Sequence, residues 1–194
     1  MKRLLLSLPV ILLVPCIAFA QAPAAAPAPA AAPKPPPQSA ISAPQASGLK
    51  VGDAAPEVEL PIFGSKDVFK LSSYKDKKSV VLIFSQTACG SCLAELQLMN
   101  KYVGTSDKFE IFAVTVDAIA GTEKWNPIME KYVQDNEFKM KFLLDPKYRT
   151  PRAFKVRATP GMVVVDKAGK IKAMEVGFTP DDSKDIEALI NAVK

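Results

Sequence analysis

Continuous apolar runs alternate with amphipathic stretches in the chain beyond about residue 50. The runs SVVLIF (79–84) and FEIFAVTVD (109–117) are typical of strands that are buried on both faces of a sheet. Between them, apolar residues recur at helical spacing, at Leu93, Leu96, Met99 and Val103. The order strand–helix–strand predicts a parallel pair of strands that is joined by a right-handed crossover.

Two further helices are predicted towards the C-terminus. In the first, Pro127 falls in the first turn and the apolar residues step at i, i+3, i+4, i+7 and i+8. These apolar residues are Trp125, Ile128, Met129, Tyr132 and Val133. The last helix has Thr179 as its N-cap, Pro180 at the first helical position and Asp182 three residues after the cap. Its predicted buried stripe consists of Ile186, Leu189, Ile190 and Val193.

Two hairpins complete the pattern. PEVELPIFGSKDVFKL (56–71) has two short apolar runs around a Gly-Ser-Lys-Asp turn. GMVVVD (161–166) and IKAMEVG (171–177) flank a Lys-Ala-Gly-Lys turn, and a shorter apolar run, FLL (142–144), precedes them. The sequence therefore predicts an α/β fold with a central mixed β-sheet, helices on both faces and an N-terminal β-hairpin.

The first 50 residues differ in composition from the rest. Residues 1–20 begin with two basic residues, continue apolar and end in Ala-Phe-Ala, the pattern of a secretory signal peptide that is cleaved after Ala20. Residues 21–50 are mostly Ala, Pro, Gln and Ser, which predicts a disordered tether. We therefore expect a folded domain at 51–194 in a periplasmic or other extracytoplasmic protein. An uncleaved signal would tether this domain to a membrane.

The formal net charge of +5 overstates how basic the domain is. Lys2, Arg3, Lys34 and Lys50 precede it and no acidic residue does, so the domain itself carries +1. This balance argues against a nucleic-acid partner. The sequence contains no histidine, which excludes histidine metal ligands, histidine general bases and haem attachment through C-x-x-C-H.

The segment TACGSC (87–92) holds the two cysteines expected in the mature protein, Cys89 and Cys92, between a predicted strand and a predicted helix. Free N–H groups and the dipole at a helix N-terminus favour a thiolate, so we expect Cys89 to be reactive near neutral pH. Cys92 is near enough to form a disulfide with it, which indicates thiol–disulfide exchange. A structural disulfide and a two-cysteine Cu(I) site are alternatives, whereas a zinc site needs about four ligands.

Thr159-Pro160 stands directly before a predicted strand, where a proline has to end or enter the strand. Together with the C-x-x-C motif and the order of elements, this pattern resembles the thioredoxin superfamily, and most closely its extracytoplasmic redoxins of the TlpA and ResA type. The resemblance extends from about Leu49 to the C-terminus. It includes VGDAAPEVELP (51–61), the cysteine segment, FEIFAVTVD, FLLDP and FKVRATPGMVVVDKAGKI (154–171).

The resemblance implies a role for each of five residues. Cys89 would be the exposed nucleophile, Cys92 the resolving thiol and Pro160 a cis-proline that faces them. Thr159 would offer its backbone to an extended substrate segment. Glu95 matches an acid near the dithiol of ResA-type reductases, and helical spacing places it on the face of Cys92, although a solvated surface acid is an equal interpretation.

Three positions depart from the family pattern. Ala88 stands where most relatives have Trp beside the first cysteine, Ile83 stands where thioredoxins bury an Asp, and Gln97 replaces a helix-kinking Pro. These changes bear on substrate and rate and leave the exchange chemistry intact.

The function that the resemblance implies is that of an exported thiol–disulfide oxidoreductase, and more specifically a reductase of selected extracytoplasmic protein disulfides. It would use no cofactor or metal and would be recharged by an upstream electron donor, which we expect in the membrane. One alternative is a peroxiredoxin-like thiol peroxidase, since peroxiredoxins share the fold. Others are a copper-delivery domain of the Sco type, although that type has C-x-x-x-C and a histidine, and a redox-inactive interaction module.

Overall fold

The computed structural model describes residues 49–116 and 126–193. The predicted signal peptide, nearly all of the predicted tether and Trp125 lie outside the described residues. The strands are β1 (Glu59–Pro61), β2 (Val68–Lys70), β3 (Ser79–Ser85), β4 (Phe109–Thr115), β5 (Lys141–Leu144), β6 (Gly161–Val165) and β7 (Ile171–Val176). The helices are α1 (Gly90–Asn100), α2 (Pro127–Asp135), α3 (Arg149–Ala153) and α4 (Ser183–Val193).

Strand β3 lies at the centre of a five-stranded sheet with the order β5-β4-β3-β6-β7. Strands β3, β4 and β5 run parallel, whereas β6 pairs antiparallel with both β3 and β7. Strands β1 and β2 form a separate antiparallel hairpin. The predicted mixed sheet, its parallel pair and both hairpins are therefore confirmed. Every residue of β3 is buried, as its continuous apolar run predicts for a strand covered on both faces.

The sheet separates two hydrophobic cores, because successive side chains of a strand point to opposite faces. Val81 and Ile83 of β3 belong to one core, to which α1, α2 and α4 contribute. Leu82 belongs to the other core, together with residues of the β1–β2 hairpin and Phe154 at the end of α3. Helical segments thus lie on both faces, and the hairpin supplies much of the cover on the second.

Ile128, one of the apolar residues at helical spacing in α2, is not buried. Its side chain is 57% exposed, whereas Met129 in the same turn is fully buried. Successive helical residues are turned by about 100°, and α2 buries only a narrow stripe around Met129, to which Tyr132 and Val133 contribute partly. Ile128 lies outside that stripe.

The start of the last helix carries the predicted capping box. The N–H and hydroxyl groups of Thr179 both donate to Oδ2 of Asp182, over 2.6 and 2.8 Å. The Asp182 N–H donates in return to the Thr179 carbonyl over 3.0 Å. The first turn is a 3₁₀ turn, Pro180–Asp182, which continues into α4. The box therefore fixes the carboxylate of Asp182 at the entrance to the helix.

The N-terminal segment reaches both edges of the central sheet. Phe63 donates its N–H to the carbonyl of Phe142 in β5 over 2.8 Å. Gly52 donates its N–H to the carbonyl of Ile171 in β7, also over 2.8 Å. One segment of the chain thus occupies backbone groups on strands at opposite edges.

Candidate active site

The two cysteines lie at the start of α1 and are joined by a disulfide bond. Cys89 is the N-cap residue, with an extended backbone, and Cys92 lies in the first turn of the helix. Their Cα atoms are 5.2 Å apart. Cys92 is fully buried, whereas Cys89 is half-buried. The structure thus represents the oxidised state, in which only one of the two sulfurs is near the surface.

The start of α1 directs polar groups at the sulfur of Cys89. The Cys92 N–H donates to Cys89 Sγ over 3.2 Å, and Ser91 Oγ lies 3.5 Å from the same sulfur. The N–H groups of a first helical turn have no partner inside the helix, and the positive end of the helix dipole lies there. In the reduced state, these groups would stabilise negative charge on Cys89.

The position of β3 where thioredoxins bury an Asp is aliphatic in this chain. Ile83 in β3 is fully buried and belongs to the same core as Leu96 and Met99 of α1. The family departure at Ile83 therefore places a hydrocarbon side chain where thioredoxins bury a carboxylate. An acid that serves the dithiol has to come from another element.

Glu95 follows Cys92 by about one turn of α1, and only 1% of its surface is exposed. Its Oε2 accepts no hydrogen bond from any described residue. Burial raises the pKa of Glu95 to about 8, and the negative charge of Asp182 adds to the rise. The surface-acid interpretation is therefore wrong. Helical spacing indicates which face Glu95 shares with Cys92, but it does not show what packs over that face.

Thr159 and Pro160 lie at the same end of the sheet as the cysteines. The peptide bond between them is cis, and the next residue, Gly161, pairs with Phe84 near the end of β3, from which the cysteine loop leaves. The Pro160 carbonyl accepts the N–H of Gly177 over 2.8 Å. The backbone of Thr159 forms no hydrogen bond with another described residue.

Sequence reasoning missed Gln86, which connects the cysteine loop with the loop before β6. Its backbone carbonyl accepts the N–H of Cys89 over 3.2 Å. Its side-chain Oε1 accepts the hydroxyl of Thr159 over 3.1 Å. The two side chains are 73 residues apart in the chain, so no local pattern could have indicated this contact.

Comparison with known proteins identifies a family for this chain. The model of the AhpC/TSA family matches residues 51–174. The chain belongs to this family. Within it, the chain is similar to the thiol-disulfide oxidoreductase ResA of Geobacillus thermodenitrificans, with 29% identity over 143 residues, which cover 72% of this chain and 78% of that protein.

Solved structures show the same relationship. A protein from Chlorobium tepidum that is designated thiol:disulfide interchange protein DsbE is 31% identical, and the match covers 75% of this chain and 99% of that one with a TM-score of 0.66. The exposed lipoprotein thioredoxin of Streptococcus pneumoniae is 24% identical, covers 70% of this chain and 99% of its own, and has a TM-score of 0.56, which supports the fold. The chain is thus a thiol–disulfide oxidoreductase with a thioredoxin-like fold, of the TlpA and ResA type.

The site of this AhpC/TSA-family domain is built from the chain's own thiols. Within residues 49–116 and 126–193, no group of three or more Cys, Asp or Glu side chains is arranged to hold a metal ion. Ala88 is exposed directly before Cys89. Its methyl group covers far less surface than the Trp of most relatives, which leaves more room beside the sulfur.

Proposed function

We propose that the protein is an exported reductase of selected extracytoplasmic protein disulfides, with Cys89 as nucleophile and Cys92 as resolving thiol. One observation supports this assignment most directly: the Cys92 N–H points at the sulfur of half-buried Cys89, while Cys92 itself is fully buried. A substrate can approach the first sulfur and is kept from the second. The direction, reduction of the substrate, rests on the similarity to ResA-type proteins.

The reaction has two exchange steps. The Cys89 thiolate attacks one sulfur of the substrate disulfide and forms a mixed disulfide, while the other substrate sulfur leaves as a thiolate. Cys92 then loses its proton and attacks Sγ of Cys89, so that the second substrate sulfur leaves. The substrate gains two electrons and two protons, and the Cys89–Cys92 disulfide remains. An upstream dithiol donor, which we place in the membrane, returns the pair to the reduced state.

Glu95 is the proposed acceptor of the Cys92 proton. Because burial raises the pKa of Glu95 to about 8, its ionised form is a stronger base than an ordinary carboxylate and takes the Cys92 proton at a lower energetic cost. Both side chains are buried and lie one helical turn apart. Ile83 cannot perform this transfer, so α1 itself provides the acid–base group.

Thr159 and Pro160 are the proposed binding site for an extended substrate segment. The cysteine loop follows β3, and Thr159 and Pro160 precede β6, which pairs with β3. The backbone groups of Thr159, which have no partner among residues 49–116 and 126–193, would bind the substrate backbone on one side of the disulfide. These contacts would bind the backbone of the substrate and not its side chains. Selectivity among substrate proteins would therefore have to come from the surface around the site.

The proposed export rests on the sequence of residues 1–20, and the proposed tether on residues 21–50. The similarity to a pneumococcal protein named an exposed lipoprotein supports an extracytoplasmic location. Of the helices that the structure describes, none has the length and apolar character needed to cross a membrane.

Capture of mixed disulfides tests the proposal. With Cys92→Ser, the second step cannot occur, so we expect covalent adducts between Cys89 and substrate proteins that dithiothreitol releases. Cys89→Ser and the double variant are the matched controls and should capture nothing. If reduced protein oxidised rapidly with hydrogen peroxide while Cys92→Ser captured no protein, the peroxidase alternative would replace the reductase.

A further inference from the structure

We propose that Gln86 is a positioning residue that fixes the Thr159 loop against the cysteine loop, and that it thereby sets the preference for extended peptide segments over small disulfides. This inference rests on the proposed function, because it concerns how the substrate segment is held beside Cys89. It assigns a role to a residue that carries no reactive group.

The register of the sheet explains why Gln86 and Thr159 meet. Phe84 pairs with Gly161 in the antiparallel ladder between β3 and β6. Continued by two residues, the same register would set Gln86 opposite Thr159. The backbone ladder ends before that point, because Phe84 and Gly161 are its last pair. The side-chain hydrogen bond of 3.1 Å joins the two residues where the backbone pairing has stopped.

Gln86 acts on both loops through different atoms. Its carbonyl accepts the N–H of Cys89 and closes the turn that leads to the reactive sulfur. Its Oε1 accepts the Thr159 hydroxyl. A single residue therefore fixes the position of the nucleophile relative to that of the proposed substrate-binding backbone. Both side chains are half-buried, so the bond is partly shielded from competition with water.

Neighbouring contacts leave Thr159 in need of this support. The carbonyl of Pro160 is held by Gly177, but the backbone of Thr159 has no partner among the described residues. Without the Gln86 bond, the N–H and carbonyl of Thr159 could turn away from the direction that a peptide beside Cys89 requires. A small disulfide without a peptide backbone makes no use of these groups, so its reaction depends on Cys89 alone.

Two probes separate these effects. One is a ten-residue peptide whose single cysteine is disulfide-bonded to glutathione, and the other is bis(2-hydroxyethyl) disulfide. The protein is reduced beforehand and supplies the two electrons, and the measured quantity is the ratio of kcat/KM for the peptide to kcat/KM for the small disulfide, taken from single-turnover rates. We expect Gln86→Leu to lower this ratio about five- to tenfold, the effect of one lost hydrogen bond, mainly through the KM of the peptide. Gln134→Leu, an exposed glutamine of α2, is the matched control.

A double-mutant cycle with Thr159 distinguishes the hydrogen bond from general loss of structure. Thr159→Val removes the hydroxyl at constant shape and should lower the ratio as much as Gln86→Leu does. The double variant should be no worse than either single one. Thr159→Ser keeps the hydroxyl donor and Gln86→Glu keeps the acceptor oxygen. Each of these single variants should therefore have a ratio within about twofold of the wild-type ratio.

Independent losses that multiply in the double variant would overturn the proposal, as would an unchanged ratio in a folded Gln86→Leu protein. If circular dichroism showed that Gln86→Leu does not fold, the comparison of Thr159→Val with Thr159→Ser would test the proposal instead. Equal ratios for these two variants would overturn the proposal. A wild-type protein that reduced neither probe would contradict the proposed function itself, whereas an active protein with an unchanged ratio would contradict only the role of Gln86.

Discussion

Cys92 donates its backbone N–H to the sulfur of Cys89 across 3.2 Å, from within the helix that Cys89 begins. The donor is fixed by the helical backbone, so it needs no rearrangement to reach the sulfur. A helix N-terminus stabilises negative charge best at its first residues, and the effect falls off within one turn. The same short segment therefore makes its two thiols unequal.

We expect the pKa of the Cys89 thiol to lie below the ~8.5 of a free thiol, and that of Cys92 to lie above it. The helix N-terminus lowers the first, and burial raises the second because it disfavours the thiolate. Rates of iodoacetamide alkylation against pH, in Cys92→Ser and Cys89→Ser proteins, would give both values. At pH 7 the Cys89 thiol should react at least about tenfold faster. Faster alkylation of Cys92 would reverse the proposed roles of nucleophile and resolving thiol.

Replacing Glu95 by Gln should separate the two exchange steps. The alkylation rate of Cys89 should change by less than about twofold, because charge at Glu95 is nearly absent at pH 7 in a group with a pKa of about 8. Resolution of a mixed disulfide by Cys92 should slow by roughly 10²-fold, the usual contribution of a positioned base. Stopped-flow release of a thionitrobenzoate leaving group would measure the second step. Its rate in the wild type should rise up to about pH 8, and that inflection should be lost in the variant.

The free energy of unfolding should depend on pH through Glu95. Its pKa rises from an ordinary 4.5 to about 8 on folding, so between these values the folded state binds the additional proton. The free energy of unfolding therefore falls as pH increases across this window, by at most ~1.4 kcal/mol per pH unit from this group. Urea unfolding of the oxidised protein at pH 5 and pH 8 would measure the fall, and Glu95→Gln should reduce it.

The control for this pH dependence is Asp181→Asn, at an exposed acid in the first turn before α4. It should retain the wild-type difference between pH 5 and pH 8. A Glu95→Gln protein with the same difference as the wild type would show that Glu95 ionises as readily in the folded chain as in the unfolded one.

Two glycines at the site should respond in opposite ways to substitution by Ala. A Cβ on Gly161 would lie 2.6 Å from Val156 Cγ1 and 3.2 Å from the Ala158 carbonyl oxygen, so Gly161→Ala should destabilise the protein by about 1–3 kcal/mol. A Cβ on Gly90 would meet nothing within 4 Å, and Ala favours a helix, so Gly90→Ala should be neutral or stabilising by up to ~1 kcal/mol. Thermal unfolding of the two variants tests the pair, and equal losses would contradict the packing argument.

Local sequence patterns predicted most of the strands and helices. They did not predict features that depend on contacts between distant segments of the chain. Residues that are close in sequence determine the apolar run of β3, the two turns of the hairpins and the capping box of Thr179. The structure contains each of these features. The short helix α3 was not predicted. It is held by Asp145, whose carboxylate accepts the N–H groups of Arg149 and Thr150.

In the candidate site, too, some features follow from neighbouring residues and others from distant ones. The position of the cysteines at a strand-to-helix junction follows from their neighbours. The raised pKa of Glu95 depends in part on an element far away in the chain, since the charge of Asp182 at the start of α4 adds to the effect of burial. The bond between Gln86 and Thr159 depends on the register of two strands, which no short pattern specifies.

The N-terminal segment that contacts both β5 and β7 has a consequence for the edges of the central sheet. A strand with unpaired N–H and carbonyl groups at the edge of a sheet is a template for pairing with other polypeptides, and such pairing leads to aggregation. Phe63 and Gly52 already occupy backbone groups of the two outer strands. These contacts cover part of each outer strand, including Ile171, whose N–H also donates to the carbonyl of Asp53, and so they reduce the backbone that is open to an added strand.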